Sequence, residues 1–403
     1  MEIGPILRAI TRNKLGVILI ALQIAFTMTV MVNAVFIINE RSKLMARPSG
    51  LDEANIFYLT SNGFGDQFNQ EVTNQDDLEL LRGTPGVVNA TTINAIPVSG
   101  SGSSTGIRTV PDTTLPSLPT AIYYTDENAI EALGLDLIAG ENFTASDVAF
   151  QSSNDPRRYS KVIMSLAMAE ALFPGDGLGA IGQTVYMDGV NPVEVTGIVN
   201  RLQAPWPNNS WVEQSSIVPL RFENSRTTYL VRTQPGQRDR LMGELEEALA
   251  SSNPTRIIRG LSSLEETREE SYRIDSAMAT ILYVVIVTLV FITSMGIVGL
   301  AVFGINRRRK QIGTRRALGA TQFEILRYFM VENFFITGVG VCLGAVLTIG
   351  FSIALSMLFE MPTMSWYYTP LGMLVLLGIG QLAVVGPSAK AARTEPAIAT
   401  RSI

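Results

Sequence analysis

Asn306-Arg307-Arg308-Arg309-Lys310-Gln311-Ile312-Gly313-Thr314-Arg315-Arg316-Ala317-Leu318-Gly319-Ala320-Thr321 is the stretch whose reading decides the rest of the chain. A long apolar run precedes it and another follows. Six Arg/Lys lie between Arg307 and Arg316, with no acid among them. A basic loop between two membrane spans is held on the cytoplasmic side, so this loop sets the orientation of everything else. Charge for topology would account for the basic run alone. It does not account for the tail over 313–320, where Gly313, Ala317, Gly319 and Ala320 alternate with Arg315, Arg316 and Leu318. The pattern predicts a short helical piece, flanked by Gly313 and Gly319, that fits closely into a groove on another protein.

Working outward, the apolar runs predict four spans with both ends cytoplasmic: 15–38, 277–305, 329–358 and 371–385. The first has about 24 residues, enough to cross a core of about 30 Å with some tilt. Gln23, Thr27, Thr29 and Asn33 interrupt it, and polar groups in lipid cost free energy unless paired, so that face is expected to meet another helix. Residues 1–14 carry Arg8, Arg12 and Lys14 and read as a cytoplasmic amphipathic lead-in helix. The run over 15–38 is too long for a cleaved signal peptide. Arg41, Lys43 and Arg47 follow it and blur the charge rule locally; the denser basic loop decides. Residues 359–370 form a short external loop without a basic residue, with Trp366, Tyr367 and Tyr368 placed for an aromatic belt. Residues 306–328 are the cytoplasmic segment between spans, and 386–403 the cytoplasmic tail.

The chain has 403 residues, a formal net charge of −5, no histidine and one cysteine, Cys342. Without histidine there is no Ser-His-Asp or Cys-His catalysis and no His-based metal site. One cysteine permits no intrachain disulfide. The basic residues gather near span ends, which argues against a nucleic-acid partner.

Residues 39–276 are one hydrophilic insertion with stalk helices. Residues 55–60 read as a strand, 76–82 as a helix opening and 87–93 as a strand. That order suggests helices packed on one face of a sheet. Residues 99–106, rich in Gly and Ser, read as a flexible loop. Residues 261–276 read as a helix opened by a capping box, Ser262 to Glu265 or Ser263 to Glu266, running unbroken into the second span. That span would be about 29 residues, roughly 43 Å at 1.5 Å per residue, a rigid element leading to the basic loop.

The basic stretch resembles the signature of the FtsX/MacB-type ABC permeases, and the match continues through Glu324-Ile325-Leu326-Arg327. A second family mark is Gly386-Pro387-Ser388-Ala389-Lys390-Ala391-Ala392-Arg393 with Glu395-Pro396-Ala397. Further patches resemble the MacB-like extracytoplasmic domain: Leu133-Gly134-Leu135-Asp136-Leu137-Ile138-Ala139-Gly140, Val162-Ile163-Met164-Ser165, the strand over 193–199, and Thr228-Tyr229-Leu230-Val231-Arg232-Thr233 before a helix over 239–250. The resemblance implies four transmembrane helices and a large α+β extracytoplasmic domain of two subdomains, with a membrane-distal insert within about 100–190. It also implies that Gly313, Arg315, Arg316, Ala317, Leu318, Gly319 and Ala320 couple the chain to an ATPase. The implied assembly is two permeases, identical or paralogous, with two ATPase subunits in the inner membrane of a bacterium. It expels antibiotics, peptides or similar compounds through a periplasmic adaptor and an outer-membrane duct. ATP and magnesium would sit on the ATPase, and no cofactor on this chain.

Other patterns carry less. Gly102-Ser103-Ser104-Thr105-Gly106 fits G-x-S-x-G, but the usual histidine base is missing. Gly338-Val339-Gly340-Val341-Cys342-Leu343-Gly344 lies inside a span, where Gly340 and Gly344 suit close helix packing rather than a dinucleotide. No G-x-x-x-x-G-K-[ST] occurs, so the work is expected from a separate ATPase and the chain reads as non-catalytic. Asp76, Asp77 and Glu79 lack calcium-loop spacing and read as a solvated helix start. Trp206 and Trp211 read as core packing or a partner contact. The same resemblance leaves two rival functions, a lipoprotein-releasing permease, marked by a lipid-sized cavity between the first two spans, and an FtsX-like protein that switches on a cell-wall hydrolase. A stand-alone sensor is a third.

Overall fold

The computed structural model describes residues 14–66, 68–152, 159–223, 225–359 and 362–393. The lead-in over 1–13 and the Glu395-Pro396-Ala397 mark lie outside them. The chain divides into two compact units, Leu44–Ile274 and the pair Met1–Lys43 with Asp275–Ile403. The first helix, α1 (Lys14–Met45), is apolar throughout and ends on Lys43 and the turn after Met45.

The Leu44–Ile274 unit is built on two sheets. The first holds β1 (Ile56–Gly63), β2 (Val87–Ile93), β11 (Arg226–Thr233) and β12 (Arg256–Ser263) in the order β12-β1-β11-β2, antiparallel throughout. Side chains alternate across a strand. Phe57, Leu59, Tyr229 and Val231 therefore pack with Leu78 and Leu81 of α2 (Gln70–Gly83) and with Leu241, Leu245 and Leu249 of α5 (Arg238–Ser252). Ile56, Ile93 and Leu230 face the other way, onto Ala129, Ala132 and Leu133 of α3 (Ala129–Leu133) and Leu264 of α6 (Leu264–Ser271). Both faces are thus covered, not one, because both sets of alternate residues are apolar. Helix α2 opens at Gln70, six residues before the predicted opening. Its cap is Asn69, whose side chain accepts from the Val72 N–H at 3.1 Å.

The second sheet comprises β3 (Ser104–Arg108), β4 (Leu118–Thr125), β5 (Leu137–Gly140), β6 (Ala149–Ser152), β7 (Lys161–Ser165), β8 (Thr184–Met187), β9 (Asn191–Val199) and β10 (Ser215–Glu223). The order is β4-β3-β8-β9-β7-β10-β6, with β5 on β9. A parallel pairing of β4 with β10, Ala121 opposite Ser215 to Thr125 opposite Pro219, closes six strands into a ring. Ile107, Val162, Met164, Val185, Val195 and Val218 form part of its core, joined by Met168 and Ala169 of α4 (Leu166–Leu172). The ring reaches Glu223, so the second subdomain runs past the expected limit near 190. The flexible-loop expectation over 99–106 fails at its end, where Ser104 and Thr105 pair with β4.

Asp126, wholly buried, ties the two sheets together. It accepts from Arg82 of α2 at 3.0 Å, from Thr91 of β2 at 2.8 Å, from the Asn128 N–H at 2.9 Å, and from Arg221 of β10. Trp206 and Trp211 meet edge to face at 5.5 Å and, half-buried, pack on the core between the sheets.

The stalk differs from the expectation. Residues 261–263 end β12, and α6 begins at Leu264 with the Ser263–Glu266 capping box, of the two that the sequence allowed. The helix breaks at Tyr272 (φ −98°, ψ 7°) before α7 (Arg273–Arg307).

The other unit contains α1, α7, α9 (Gln322–Phe359) and α10 (Tyr368–Ala392), four helices long and apolar enough to cross a membrane. A backbone in lipid must satisfy its own hydrogen bonds, which a helix does. The polar residues of α1 do meet neighbours. Thr27 and Thr293 hydroxyls are 2.7 Å apart, and the Asn33 amide donates to the Thr29 carbonyl at 2.8 Å and the Thr348 carbonyl at 3.4 Å. A Cβ on Gly340 would lie 2.9 Å from the Ala21 carbonyl, and one on Gly344 2.8 Å from Met28 Cβ, so both glycines let α1 approach α9. Both outer helices overrun their predicted limits. Helix α9 starts seven residues before 329, and α10 continues through Pro387 to Ala392.

Candidate functional site

Between α7 and α9 the basic stretch folds into α8 (Arg309–Ala317), with Arg308 as the single non-helical residue before it (φ −108°, ψ 9°). Gly313 is therefore inside the helix and does not flank it. It is buried on the same side as Ile312, which is 6% exposed and packs with Ile325, Phe329, Ala391 and Ala392. The absent side chain at Gly313 belongs to the inward face, not to a helix end.

The other predicted glycine does terminate the helix. The Gly319 N–H donates to the Arg316 carbonyl at 3.1 Å and the Ala320 N–H to the Arg315 carbonyl at 3.0 Å, the Schellman pairing. Gly319 holds φ +98°, a conformation that side chains disfavour. Arg316 braces the turn by donating from Nη1 to the Ala320 carbonyl at 3.1 Å. The next helix starts at once: the Thr321 hydroxyl accepts from the Glu324 N–H at 3.2 Å, and the Glu324 carboxylate accepts from the Thr321 N–H at 2.8 Å.

This tight connection leaves Leu318 84% exposed and Phe323 68% exposed, two large apolar side chains set among arginines. Ala317 is exposed beside Leu318, whereas Ala320 is half-buried. Arg315 lies over the Tyr328 ring at 5.4 Å. The predicted residues thus divide. Ala317, Leu318 and Gly319 form the outer surface, while Gly313, Arg316 and Ala320 shape and seat it. Sequence reading missed Phe323. Its signal was present, since a helix starting at Thr321 leaves position 323 on the first turn.

It also missed Glu332. Arg308 Nη1 and Nη2 donate to the two Glu332 carboxylate oxygens at 2.8 and 3.0 Å, and Nη1 reaches the Tyr328 hydroxyl at 3.4 Å. The available signal was a carboxylate inside an apolar run, which demands a partner. A crevice beside this pair is lined by Val17 and Ile20 of α1, Ile297 and Gly304 of α7, and Phe329 and Ile336 of α9. It lies at the end of α1 and α7 that adjoins α8, not at their opposite ends.

Elsewhere, Asp77 departs from its expectation. It is 2% exposed, pairs with Arg256 and accepts from the Tyr229 hydroxyl at 2.6 Å, so it is a core group rather than a solvated helix start. Burial pushes the Tyr229 phenol up, keeping it a donor.

Two family models match the chain: a MacB-like periplasmic core domain over residues 16–248 and an FtsX-like permease C-terminal over residues 283–396. Among curated proteins, the macrolide export ATP-binding/permease protein MacB of Chromobacterium violaceum is 25% identical over 231 residues, covering 56% of this chain and 34% of that protein. The uncharacterized ABC transporter permease YknZ of Bacillus subtilis is 23% identical over 341 residues, covering 80% and 82%. The chain therefore spans about a third of the first relative and most of the second. Among solved structures, the periplasmic region of MacB from Actinobacillus actinomycetemcomitans is 17% identical, with 57% and 97% coverage and a TM-score of 0.35. The extracellular domain of YknZ from Gram-positive bacteria is 18% identical, with 50% and 100% coverage and a TM-score of 0.32.

Proposed function

The chain belongs to the family of ABC transporter permeases with a MacB-like periplasmic core domain and an FtsX-like C-terminal segment, and from that premise we propose that it is the permease subunit of a MacB-like exporter. A separate ATPase dimer, carrying ATP and magnesium, docks on α8 and its terminal turn. Closure of that dimer displaces α8 and the helices that lead into the extracytoplasmic unit. The motion expels antibiotics, peptides or similar compounds through a periplasmic adaptor and an outer-membrane duct. The working unit holds two permeases in the inner membrane.

The observation that carries the docking reading is Leu318, held outward at 84% exposure by a turn whose geometry is fixed by Gly319 and Arg316. A large apolar side chain fixed among cations fits a pocket on a protein surface, and burying it contributes about 1.5–3 kcal/mol. Leu318→Asp should leave membrane insertion intact and weaken co-purification of the ATPase at least about tenfold. Arg316→Glu should do the same by releasing the turn. Undiminished co-purification with both changes would remove the assignment. A lipoprotein-releasing role needs an acyl-sized cavity open to the outer leaflet. The α1–α7 crevice, at the end adjoining α8, gives that reading no support.

A further inference from the structure

We propose that Arg308 and Glu332 are a positioning pair that makes α8 and α9 move as one body, so that displacement of the docked helix reaches the membrane helices. The inference rests on the docking reading and adds how the motion leaves the docking site. Three observations carry it.

Arg308 is the break between α7 and α8, so no continuous helical ladder fixes the angle of α8 to α7. That angle depends on side-chain attachments. The pair supplies two charge-assisted bonds to this attachment, at 2.8 and 3.0 Å between groups 22% and 13% exposed. A two-point contact resists twisting as well as sliding.

Two crevices adjoin Arg308, and one of them also reaches Glu332. One is lined by Gln311, Ile312, Arg315, Ile325 and Tyr328, the other by Ile297, Gly304, Phe329, Asn333 and Ile336. Close packing would otherwise transmit a push. Here it is reduced, so force between α8 and α9 passes through the turn at Gly319, the Arg315–Tyr328 contact, the contact around Ile312 and the ion pair, of which the ion pair alone grips from the α7 end of α8.

Stability alone is a poor account of the pair. Burying two charges is costly, and an apolar pair of similar volume is commonly as stable. A carboxylate inside an apolar helix is expected where it does work. From Glu332 the path continues one residue along α9, where the Asn333 amide donates to the Gly380 carbonyl of α10 at 2.9 Å.

The experiment uses the full chain with the ATPase subunit that co-purifies with it. Three quantities are read: co-purification, stimulation of ATP hydrolysis by the chain, and cargo export. Glu332→Gln, which keeps size and one hydrogen-bond acceptor, should retain co-purification and lose roughly five- to tenfold in stimulation and export. The exchange Arg308→Glu with Glu332→Arg should recover much of that loss, which a simple structural defect would not allow. Full stimulation in both Glu332→Gln and Glu332→Ala would overturn the proposal and leave the docking reading standing. So would an exchange no better than either single change, or co-purification lost with Glu332→Gln. A wild-type chain that binds no ATPase would end the docking reading itself, and this proposal with it.

Discussion

Two ion pairs, one buried and one half-buried, show how the same chemistry serves two ends. In the extracytoplasmic unit, Asp77 and Arg256 meet inside a filled core. The Tyr229 hydroxyl donates to Asp77, and Arg256 also donates to the Leu249 carbonyl at 3.1 Å and the Ser252 hydroxyl at 2.6 Å. That network joins α2, β11, α5 and β12, and Leu78, Leu81 and Leu249 close around it. In the membrane unit, Arg308 and Glu332 meet beside crevices at a helix break. The first pair is buried and tied by hydrogen bonds to two further elements, so it specifies one structure. The second sits at the break before α8, where, on the proposal above, it acts as a joint.

The largest expected difference between them is in stability. Arg256→Ala strands a buried carboxylate and should destabilise the extracytoplasmic unit by about 3–5 kcal/mol. Denaturation followed by the fluorescence of Trp206 and Trp211 measures it. Glu332→Gln should leave that midpoint unmoved, and an equal shift would erase the contrast. Next is docking, where Leu318→Asp is expected to act on association and not on unfolding. A smaller effect is expected at Gly319→Ala, which places a side chain at φ +98° and should cost about 1 kcal/mol. It should weaken ATPase association by less than tenfold, and an effect as large as that of Leu318→Asp would make the turn itself the contact. The smallest concerns Asp147, lowered to about 2 by the Lys161 ammonium 2.7 Å away and by the Thr144 N–H. Its folded value lies below its unfolded one of about 3.9. Its contribution is therefore present above about pH 4 and lost as pH falls toward 2. Both groups touch water, so the change should be only a few tenths of a kcal/mol. Melting of Asp147→Asn against the parent at pH 6 and pH 2 reads it, and a difference that grows at low pH would contradict the sign.

The legible parts of the molecule follow a rule. Local signals placed β2 and the α8 terminus at Gly319 and narrowed the cap before α6 to two neighbouring boxes, because each is decided by residues adjacent in the chain. Signals that depend on distant residues were misread. Asp77 looked solvated because Arg256 and Tyr229, its partners, are far away in sequence. Ser104 and Thr105 looked like loop because Gly and Ser suggest it, yet the partner strand at 118–125 supplies the pairing. Gly313 looked like a helix end because glycine ends helices, whereas here it sits within α8 and is buried beside Ile312, whose partners Ile325 and Phe329 lie on the next helix.

By itself the sequence determined the four apolar helices, the large hydrophilic insertion between the first two, and the basic element before the third. Apolar length and charge clustering are properties of a contiguous segment and need no fold to be expressed. Only the tertiary structure decided which side of α8 is free, that six strands close into a ring, and that Arg308 finds Glu332. Each of these depends on which surfaces meet, and residues distant along the chain settle that together.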